Sequence, residues 1–359
     1  MRLGRGGLGR SLAAALRDLE DPEPIVRAAA ATDLGRHAAV HPEKVVEPLV
    51  KALADDYPTV RAAAAMALAD CGAKEGASER SGGGSHDVVE PLLERISDDD
   101  ARVRQQALTA LGEIGDGRAS ELVAEALTDE APAVRFQAVI AYVRVCPHRD
   151  RVVEALLAAS NDEDPLVCHI ALRMAEELGS GTGDNVKGAA VDPELVDRAV
   201  ALLDHDSDIL RVVGAIIAGR SGRDDGRDIL VAVALGQLVT NEADDEFAAI
   251  ELCGQLGLVD ALPGLERRAF AGLLNRDRFA WPARVALAAL GHPQAIAWIL
   301  KELDAWTYAR RTVAVAAAGR ARLEQARPQL EAMRGKSSRA DQDAIREALA
   351  SLDAQPDRA

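Results

Sequence analysis

Apolar residues recur four positions apart at many places along the chain. Val26, Ala30 and Leu34 follow this spacing, and Val60 opens another such set. Residues four apart lie on one face of an α-helix, so each set predicts a helix with a single apolar stripe. Glycine follows several stripes, as at Gly35, where it favours the end of a helix. The pattern predicts short helices along the chain and no β-sheet.

The residues that open these helices form a repeated template. It runs Asp, two residues, Pro, one residue, Val-Arg, two residues and Ala. Across six copies, Asp occurs in five, Pro in four, and Val, Arg and Ala in five each. Asp in a turn accepts backbone N–H bonds, and Pro at a helix start gives up only a donor that lacks a partner there. The template therefore marks the N-terminus of one helix in each copy.

A second apolar helix precedes the template, most clearly at residues 45–49 and at a near copy, residues 88–92. Along the arginine column of the template, in which Cys168 takes one place, three of the spacings are 34, 31 and 33 residues, which fits one helix pair per repeat. Two other spacings measure 43 residues and predict insertions at residues 72–87 and 180–192. Their composition buries little apolar surface, so we expect both insertions to be mobile and dispensable for folding.

Helix pairs with an Asp-Pro turn and a Val-Arg step resemble the HEAT repeat, and specifically its short bacterial lyase-type form, the PBS-lyase HEAT-like repeat. The resemblance is strong from about residue 11 to residue 220, and regular repeats are predicted for residues 1–220. It implies an all-α, right-handed α-α superhelix of about nine or ten helix pairs. Over residues 221–352 the template decays, although helix pairs continue, and residues 353–359 are expected to be disordered. Second helices are predicted in that part at residues 246–257, 280–291 and 306–319.

The template charges are predicted to be structural. In HEAT proteins these positions pair between successive repeats as a ladder, and the resemblance implies the same arrangement here. Their recurrence is an argument against catalysis, because a catalytic site occurs once. The predicted ladder contains Asp21, Asp55, Asp98, Asp129, Asp162, Arg27, Arg61, Arg104, Arg135 and Arg211.

The overall composition excludes several classes of function. The chain has 359 residues and a formal net charge of −16, which disfavours general binding to duplex DNA or to anionic membranes. No stretch is apolar enough to span a membrane and the N-terminus lacks the apolar core of a signal peptide, so we expect a cytoplasmic protein. The four cysteines lie far apart without a Cys-x-x-Cys pair, which disfavours a disulfide framework or a thiolate zinc site.

No motif in the sequence anchors an enzyme. Neither a phosphate-binding Gly-rich loop nor a Gly-x-Ser-x-Gly elbow occurs. His37 and His41 have a spacing that could place two metal ligands on one helix face, but Pro42 follows and no third ligand is visible. HEAT-like hydroxylases bind a di-iron centre through His-Glu pairs, and none of the seven histidines here precedes Glu. We therefore predict no catalytic residue, cofactor or metal.

One segment departs from the acidic composition. Residues 261–330 contain eleven Lys and Arg against five acids, a balance of +6 within a remainder of −22, and six of the ten aromatic residues. Trp and Arg are enriched at binding hot spots, so this segment is the candidate site for an acidic partner. The alternative interpretation is that the aromatic residues fill gaps between irregular repeats. Trp306 and Arg310, four apart, are expected to face one ligand together.

These observations favour a non-catalytic scaffold that binds a protein partner on its curved inner face or on the basic, aromatic C-terminal part. Two alternatives stay open: a lyase or chaperone for a chromophore protein, and a nucleic-acid protein like the HEAT-like alkylpurine DNA glycosylases, which the acidity disfavours. The sequence does not indicate the oligomeric state. The predicted partner-binding residues are Trp306, Arg310, Trp281, Trp298, Arg311, Gln106, Gln137, Ile140 and Arg173, and Ile216 is expected beside them on the inner face.

Overall fold

The computed structural model describes residues 10–38, 40–72, 88–180, 190–271, 277–336 and 339–353. Within these ranges it contains twenty α-helices and no β-strand. The first ten helices are α1 (Leu12–Asp18), α2 (Pro24–Gly35), α3 (Pro42–Ala52), α4 (Pro58–Gly72), α5 (Val89–Leu93), α6 (Ala101–Ile114), α7 (Ser120–Glu125), α8 (Pro132–Val145), α9 (Arg149–Ala159) and α10 (Pro165–Ser180). The others are α11 (Pro193–Ala201), α12 (Asp208–Arg220), α13 (Arg227–Leu235), α14 (Ala243–Gln255), α15 (Leu262–Ala269), α16 (Ala280–Ala289), α17 (Pro293–Leu303), α18 (Tyr308–Arg320), α19 (Arg327–Met333) and α20 (Gln342–Asp353).

The helices follow one another as ten pairs in the described part of the chain, from α1 and α2 to α19 and α20. Each odd-numbered helix is the first of its pair, and each template copy opens the second. Successive second helices pack side by side, as α2, α4, α6 and α8 do. The predicted all-α fold of helix pairs is confirmed, as are the second helices expected after residue 220, which the structure has as α14, α16 and α18.

The template residues define where the second helices begin. Proline is the first residue of α2, α4, α8 and α10. Its fixed φ suits the first helical turn, and its missing N–H would have no partner there. In α6 the proline is absent, and Asp100 caps the helix instead by accepting a hydrogen bond from the backbone N–H of Arg102 at 2.9 Å. The second helix of a repeat therefore begins either with a proline or with an aspartate cap.

The chain divides into two compact units, residues 1–195 and residues 196–359, with the division inside α11. Each unit has a core built mainly from Ala, Leu and Val side chains. Small residues let neighbouring helices approach closely. A Cβ added to Gly254 in α14 would lie only 2.5 Å from the Cα of Ala286 in α16. Residue 220 lies inside the second unit, so the template is lost within that unit and not at the division between the two units.

Several sequence predictions fall on residues that are not described. The predicted insertions at residues 72–87 and 180–192 lie largely outside the described residues, and so does the predicted tail beyond residue 353. Among the described helices, none is both long and apolar enough to cross a membrane.

Candidate functional site

Four arginines each join two neighbouring turns of the first unit. The guanidinium of Arg104 donates from Nε and Nη2 to the two carboxylate oxygens of Asp129, both at 2.8 Å. Its Nη1 donates to the backbone carbonyl of Asp98, in the turn before its own helix, at 2.9 Å. The same two-sided contact occurs in Arg27 with Asp55, Arg61 with Asp98, and Arg135 with Asp162.

The ladder pairs perturb the titration of their carboxylates. The hydrogen bond from Arg27 is the main cause that lowers the pKa of Asp55, and Arg135 lowers that of Asp162 in the same way. Partial burial opposes this shift but does not cancel it. Each carboxylate also accepts a backbone N–H two residues further on, as Asp55 does from Tyr57 at 3.0 Å. The acid of each pair therefore shapes its own turn while it binds the preceding repeat.

The ladder changes where the template residues change. Asp21, in the first template copy, keeps the contact within its own repeat, since its carbonyl oxygen accepts a hydrogen bond from Arg27 at 2.8 Å, while its carboxylate accepts the backbone N–H of Glu23 at 2.9 Å. Cys168 stands in the arginine position of α10, and its Sγ lies 3.0 Å from the carbonyl oxygen of Asp162. Arg211 contacts Asp208 of its own helix. It does not reach an aspartate in the next turn, because Thr240 occupies that position.

Arg311 is a ladder-type residue of the second unit, so the prediction that it binds a partner is wrong. Its side chain is buried, with the residue 9% exposed. Nη1 donates to the backbone carbonyls of Ala305 and Trp306 at 2.7 and 2.9 Å, and Nε donates to the carbonyl of Arg339. The sequence carried a signal for this role, since Ala314 follows Arg311 at the template spacing.

Three of the predicted binding residues line one cleft in the second unit. They are Trp281 from α16, Trp298 from α17 and Arg310 from α18, around a volume of about 600 Å³. The remaining lining residues, which were not predicted, are Ala271, Asp277, Ala280, Arg284, Glu302, Ala309, Val313 and Ala314. Val313 could have been found, because it lies two residues after the ladder position Arg311, as Gln106 and Gln137 do after Arg104 and Arg135.

Both tryptophans of the cleft are half-buried and pack against the core of the unit. The ring of Trp281 stacks on that of Phe247 with the centroids 5.6 Å apart. The guanidinium of Arg284 lies 4.5 Å from the ring centroid of Trp298, and its Nε donates to the carbonyl of Ala269 at 2.9 Å. The two indoles are therefore fixed walls that combine packing with exposure to the cleft.

The carboxylates of the cleft are already engaged by this chain. Glu302 accepts hydrogen bonds from Nη2 and Nε of Arg310 at 2.7 and 2.9 Å. Asp277 accepts one bond from the backbone N–H of Phe279 at 2.7 Å and another from Arg268 at 3.3 Å. Arg310 keeps a side chain that is 63% exposed while this two-bond contact fixes its guanidinium.

Trp306 is 96% exposed and does not line the cleft. It lies in the turn before α18, because Thr307 caps that helix by accepting a hydrogen bond from the N–H of Arg310. The expectation that Trp306 and Arg310 share one helix face is therefore wrong: α18 begins at Tyr308, after Trp306. Arg311 holds the carbonyl of Trp306, so the exposed indole stands on a turn with a fixed backbone.

The predicted inner-face residues of the first unit lie on second helices. Gln106 lines a groove of about 570 Å³ that α2, α4 and α6 form. Gln137 and Ile140 are half-buried on α8, and Arg173 pairs with Glu176 one turn along α10. In the second unit, Ile216 is completely buried. Its expected place on the inner face is therefore wrong, since its position on α12 faces the core.

His37 and His41, the pair with metal-ligand spacing, contact different residues. Nε2 of His37 lies 2.9 Å from the carbonyl oxygen of Arg10, and Nδ1 of His41 lies 3.6 Å from the carboxylate of Glu43. The described residues contain no group of three or more His, Cys, Asp or Glu side chains arranged to hold a metal ion.

Comparison with known proteins places the repeats in a family. The sequence model of HEAT repeats matches residues 10–79 and 89–176, and that of a HEAT-like repeat matches residues 58–114. No curated protein sequence matches the chain. The sequence matches therefore fall on the helix pairs that the arginine ladder joins.

Solved structures similar to this chain are distant. An engineered protein is 19% identical over 96% of this chain and 99% of its own, with a TM-score of 0.41. YibA of Escherichia coli is 16% identical over 80% of this chain and 95% of its own, with a TM-score of 0.43. The complex of CpcE and CpcF of phycocyanin lyase from Nostoc sp. PCC7120 is 16% identical over 98% of this chain and 97% of its own, with a TM-score of 0.37. Likenesses of this strength carry no argument about function. The sequence matches show that residues 10–176 of this chain consist of HEAT repeats.

Proposed function

We propose that the chain is a scaffold that binds a protein partner without catalysing a reaction, and that the partner contacts the cleft and the exposed turn of the second unit. The observation that carries the proposal is the 96% exposure of Trp306. Its turn leads into α18, which supplies Arg310 and Val313 to a cleft walled by two further tryptophans. Trp and Arg are the residue types that contribute most at protein interfaces.

The fixed backbone around Trp306 supports a binding role. Bonds from Arg311 to the carbonyls of Ala305 and Trp306 hold the turn before any partner arrives. An anchor whose backbone is already ordered loses less conformational entropy on binding. Tyr308 and Val313, both 46% exposed, add apolar surface on the same helix.

The charges favour a protein partner over nucleic acid. Several arginines of residues 261–330 are engaged by acids of this chain, as Arg310 is by Glu302 and Arg327 is by Glu324. Phosphate binding depends on cations that release counterions, and paired arginines serve it poorly. A balance of +6 in this segment still favours an acidic protein surface over a basic one.

The test is partner capture with matched variants. A partner isolated from the native cell with the full chain should bind the Trp306→Ala/Arg310→Ala double variant about 1 to 4 kcal/mol more weakly. The control is Val259→Ala/Arg334→Ala, which truncates an exposed apolar residue and an exposed arginine of the same unit elsewhere. Unchanged affinity with a lower melting temperature would mean that the cluster serves packing, and the proposal would be wrong.

A further inference from the structure

The polar groups that the cleft offers to a ligand are hydrogen-bond donors. Both oxygens of Glu302 and both of Asp277 already accept a bond from this chain. On Arg310 the bonds to Glu302 use Nε and Nη2, and Nη1 makes no hydrogen bond among the described residues. The indole Nε1 of Trp281 also has no acceptor in the described part of the chain, but it is buried and is not offered to a ligand. A ligand that bonds to Nη1 of Arg310 must bring an acceptor.

The apolar surface of the cleft indicates which apolar group the ligand carries besides its acceptor. Its apolar lining consists of the two indoles, four alanines and Val313. A volume of about 600 Å³ accommodates a large side chain with its neighbours. Aromatic rings gain more from indole walls than aliphatic groups do, because offset and edge-to-face contacts add to the burial of area.

We propose that the cleft receives an aromatic side chain of the protein partner whose neighbouring residue carries a carboxylate. The ring packs between Trp281 and Trp298, and the carboxylate accepts hydrogen bonds from Arg310. Glu302 positions the guanidinium, since its two bonds hold the Nε edge and leave Nη1 to the incoming group. This inference rests on the proposed function, because it names the part of the partner that binds.

The three tryptophans of the chain provide a direct readout. The ¹H–¹⁵N spectrum of the full chain has three indole signals, which Trp→Phe variants assign to Trp281, Trp298 and Trp306. The probes are the capped peptides Gly-Phe-Asp-Gly, Gly-Phe-Asn-Gly and Gly-Leu-Asp-Gly. The first should shift the signals of Trp281 and Trp298 with a dissociation constant of about 1 mM, and each of the other two should bind at least about five-fold more weakly.

Variants of Arg310 test whether this residue causes the preference for the Asp peptide over the Asn peptide. In Arg310→Gln, the Phe-Asp and Phe-Asn peptides should bind equally, while Arg334→Gln, a control on an exposed arginine of the same unit, should keep the difference. Because Arg310→Gln leaves the buried Glu302 without its cation, the double variant Arg310→Gln/Glu302→Gln is measured alongside it and should behave in the same way. Equal binding of the Asp and Asn peptides by the unmodified chain, equal binding of Phe and Leu, indole shifts at Trp306 alone, or no shift at 10 mM peptide would each overturn the inference.

Failure of the inference and failure of the proposed function look different. If a partner is captured through Trp306 while no peptide binds the cleft, the scaffold proposal stands and the inference about the cleft is wrong. If the Phe-Asp peptide binds as expected while the chain captures no protein, the cleft recognises an aromatic acid of another source. Both proposals would then be wrong in their claim that the ligand belongs to a protein partner.

Discussion

At the scale of single residues, a ladder arginine stabilises two turns through one guanidinium. One edge binds a carboxylate of the next repeat, and the remaining nitrogen binds the carbonyl six residues earlier in its own repeat. Arg135 does this with Asp162 and the carbonyl of Asp129. Glu246 stands at the same position in α14 and reverses the polarity, since its carboxylate accepts the backbone N–H of Thr240, again six residues earlier. What the position requires is a polar bond to the turn, and either sign of charge can supply it.

The lowered pKa of the ladder aspartates predicts an acid-dependent loss of stability. A carboxylate with a folded pKa below its ordinary value near 3.8 stabilises the fold at neutral pH, and this contribution disappears as the pH falls through the folded pKa. Asp162→Asn should lower the free energy of unfolding by about 1 to 3 kcal/mol at pH 7. In urea unfolding at successive pH values, the gap to the original chain should narrow as the pH falls below the ordinary pKa near 3.8 and through the lower folded pKa. The exposed Glu154→Gln should stay close to the original chain at every pH; a gap for Asp162→Asn that persists in acid would contradict the account.

The residue scale also explains where sequence reasoning reached the site and where it stopped. Composition located the segment around Trp281 and Trp298, because charge and aromatic content can be counted without a fold. It assigned Arg311 to the surface, although the burial of an arginine depends on which carbonyls meet it in three dimensions. The partner carbonyl on Arg339 lies 28 residues away, which no local pattern reveals. Glu302 was missed because a lone acid in a helix gives no sign that it fixes a guanidinium.

At the scale of helices, the template predicted the elements well because each of its residues acts locally. Proline and aspartate set the helix start through the backbone of the same turn, so their meaning survives without knowledge of the fold. The start of α18 was misplaced by two residues, since the predicted helix began at residue 306, whereas Thr307 is the cap and Tyr308 the first helical residue. That difference decides the direction of an exposed tryptophan, and only the cap geometry reveals it.

Helix spacing yields a prediction that opposes the usual effect of glycine. Replacing a helical Gly by Ala normally stabilises by up to about 1 kcal/mol. Gly254→Ala should instead destabilise by about 1 to 3 kcal/mol, because the added Cβ would lie 2.6 Å from the carbonyl oxygen of Ala286. Gly117→Ala is the matched control, as its nearest neighbour would be 3.6 Å away. Thermal unfolding of both variants gives the comparison, and a stabilised Gly254→Ala would mean that α14 and α16 can move apart freely.

At the scale of the whole molecule, a substitution in one repeat should destabilise mainly that repeat and its neighbours. Arg104→Ala removes the bonds to Asp129 and to the carbonyl of Asp98 and leaves a largely buried carboxylate, so it should cost about 3 kcal/mol. Because each repeat is stabilised mainly by its neighbours, amide hydrogen exchange should rise in α6 and α8 and stay unchanged in α18. An equal rise along the entire chain would contradict nearest-neighbour stability. Arg118→Ala, whose side chain is 52% exposed, should change neither measurement appreciably.

The fold as a whole was predictable because its information is repeated. Six copies of one template allow the helix pairs to be recognised even when single copies are imperfect, as when Cys168 replaces an arginine. The candidate site has no such redundancy. The cleft draws its walls from α16, α17 and α18, and it depends on how three helices meet at one point.

The ladder pair of Arg61 and Asp98 has a consequence for how such chains can lengthen. Its partners lie 37 residues apart in sequence, against 25 to 28 for the other three pairs, yet its Nη2 to Oδ1 distance of 2.7 Å falls within the range of 2.7 to 2.9 Å of all four pairs. The same contact therefore forms across connections of different length, together with the direct packing of α4 on α6. A reporter or a second binding domain grafted between Gly72 and Val88 should thus leave the register of the helices unchanged.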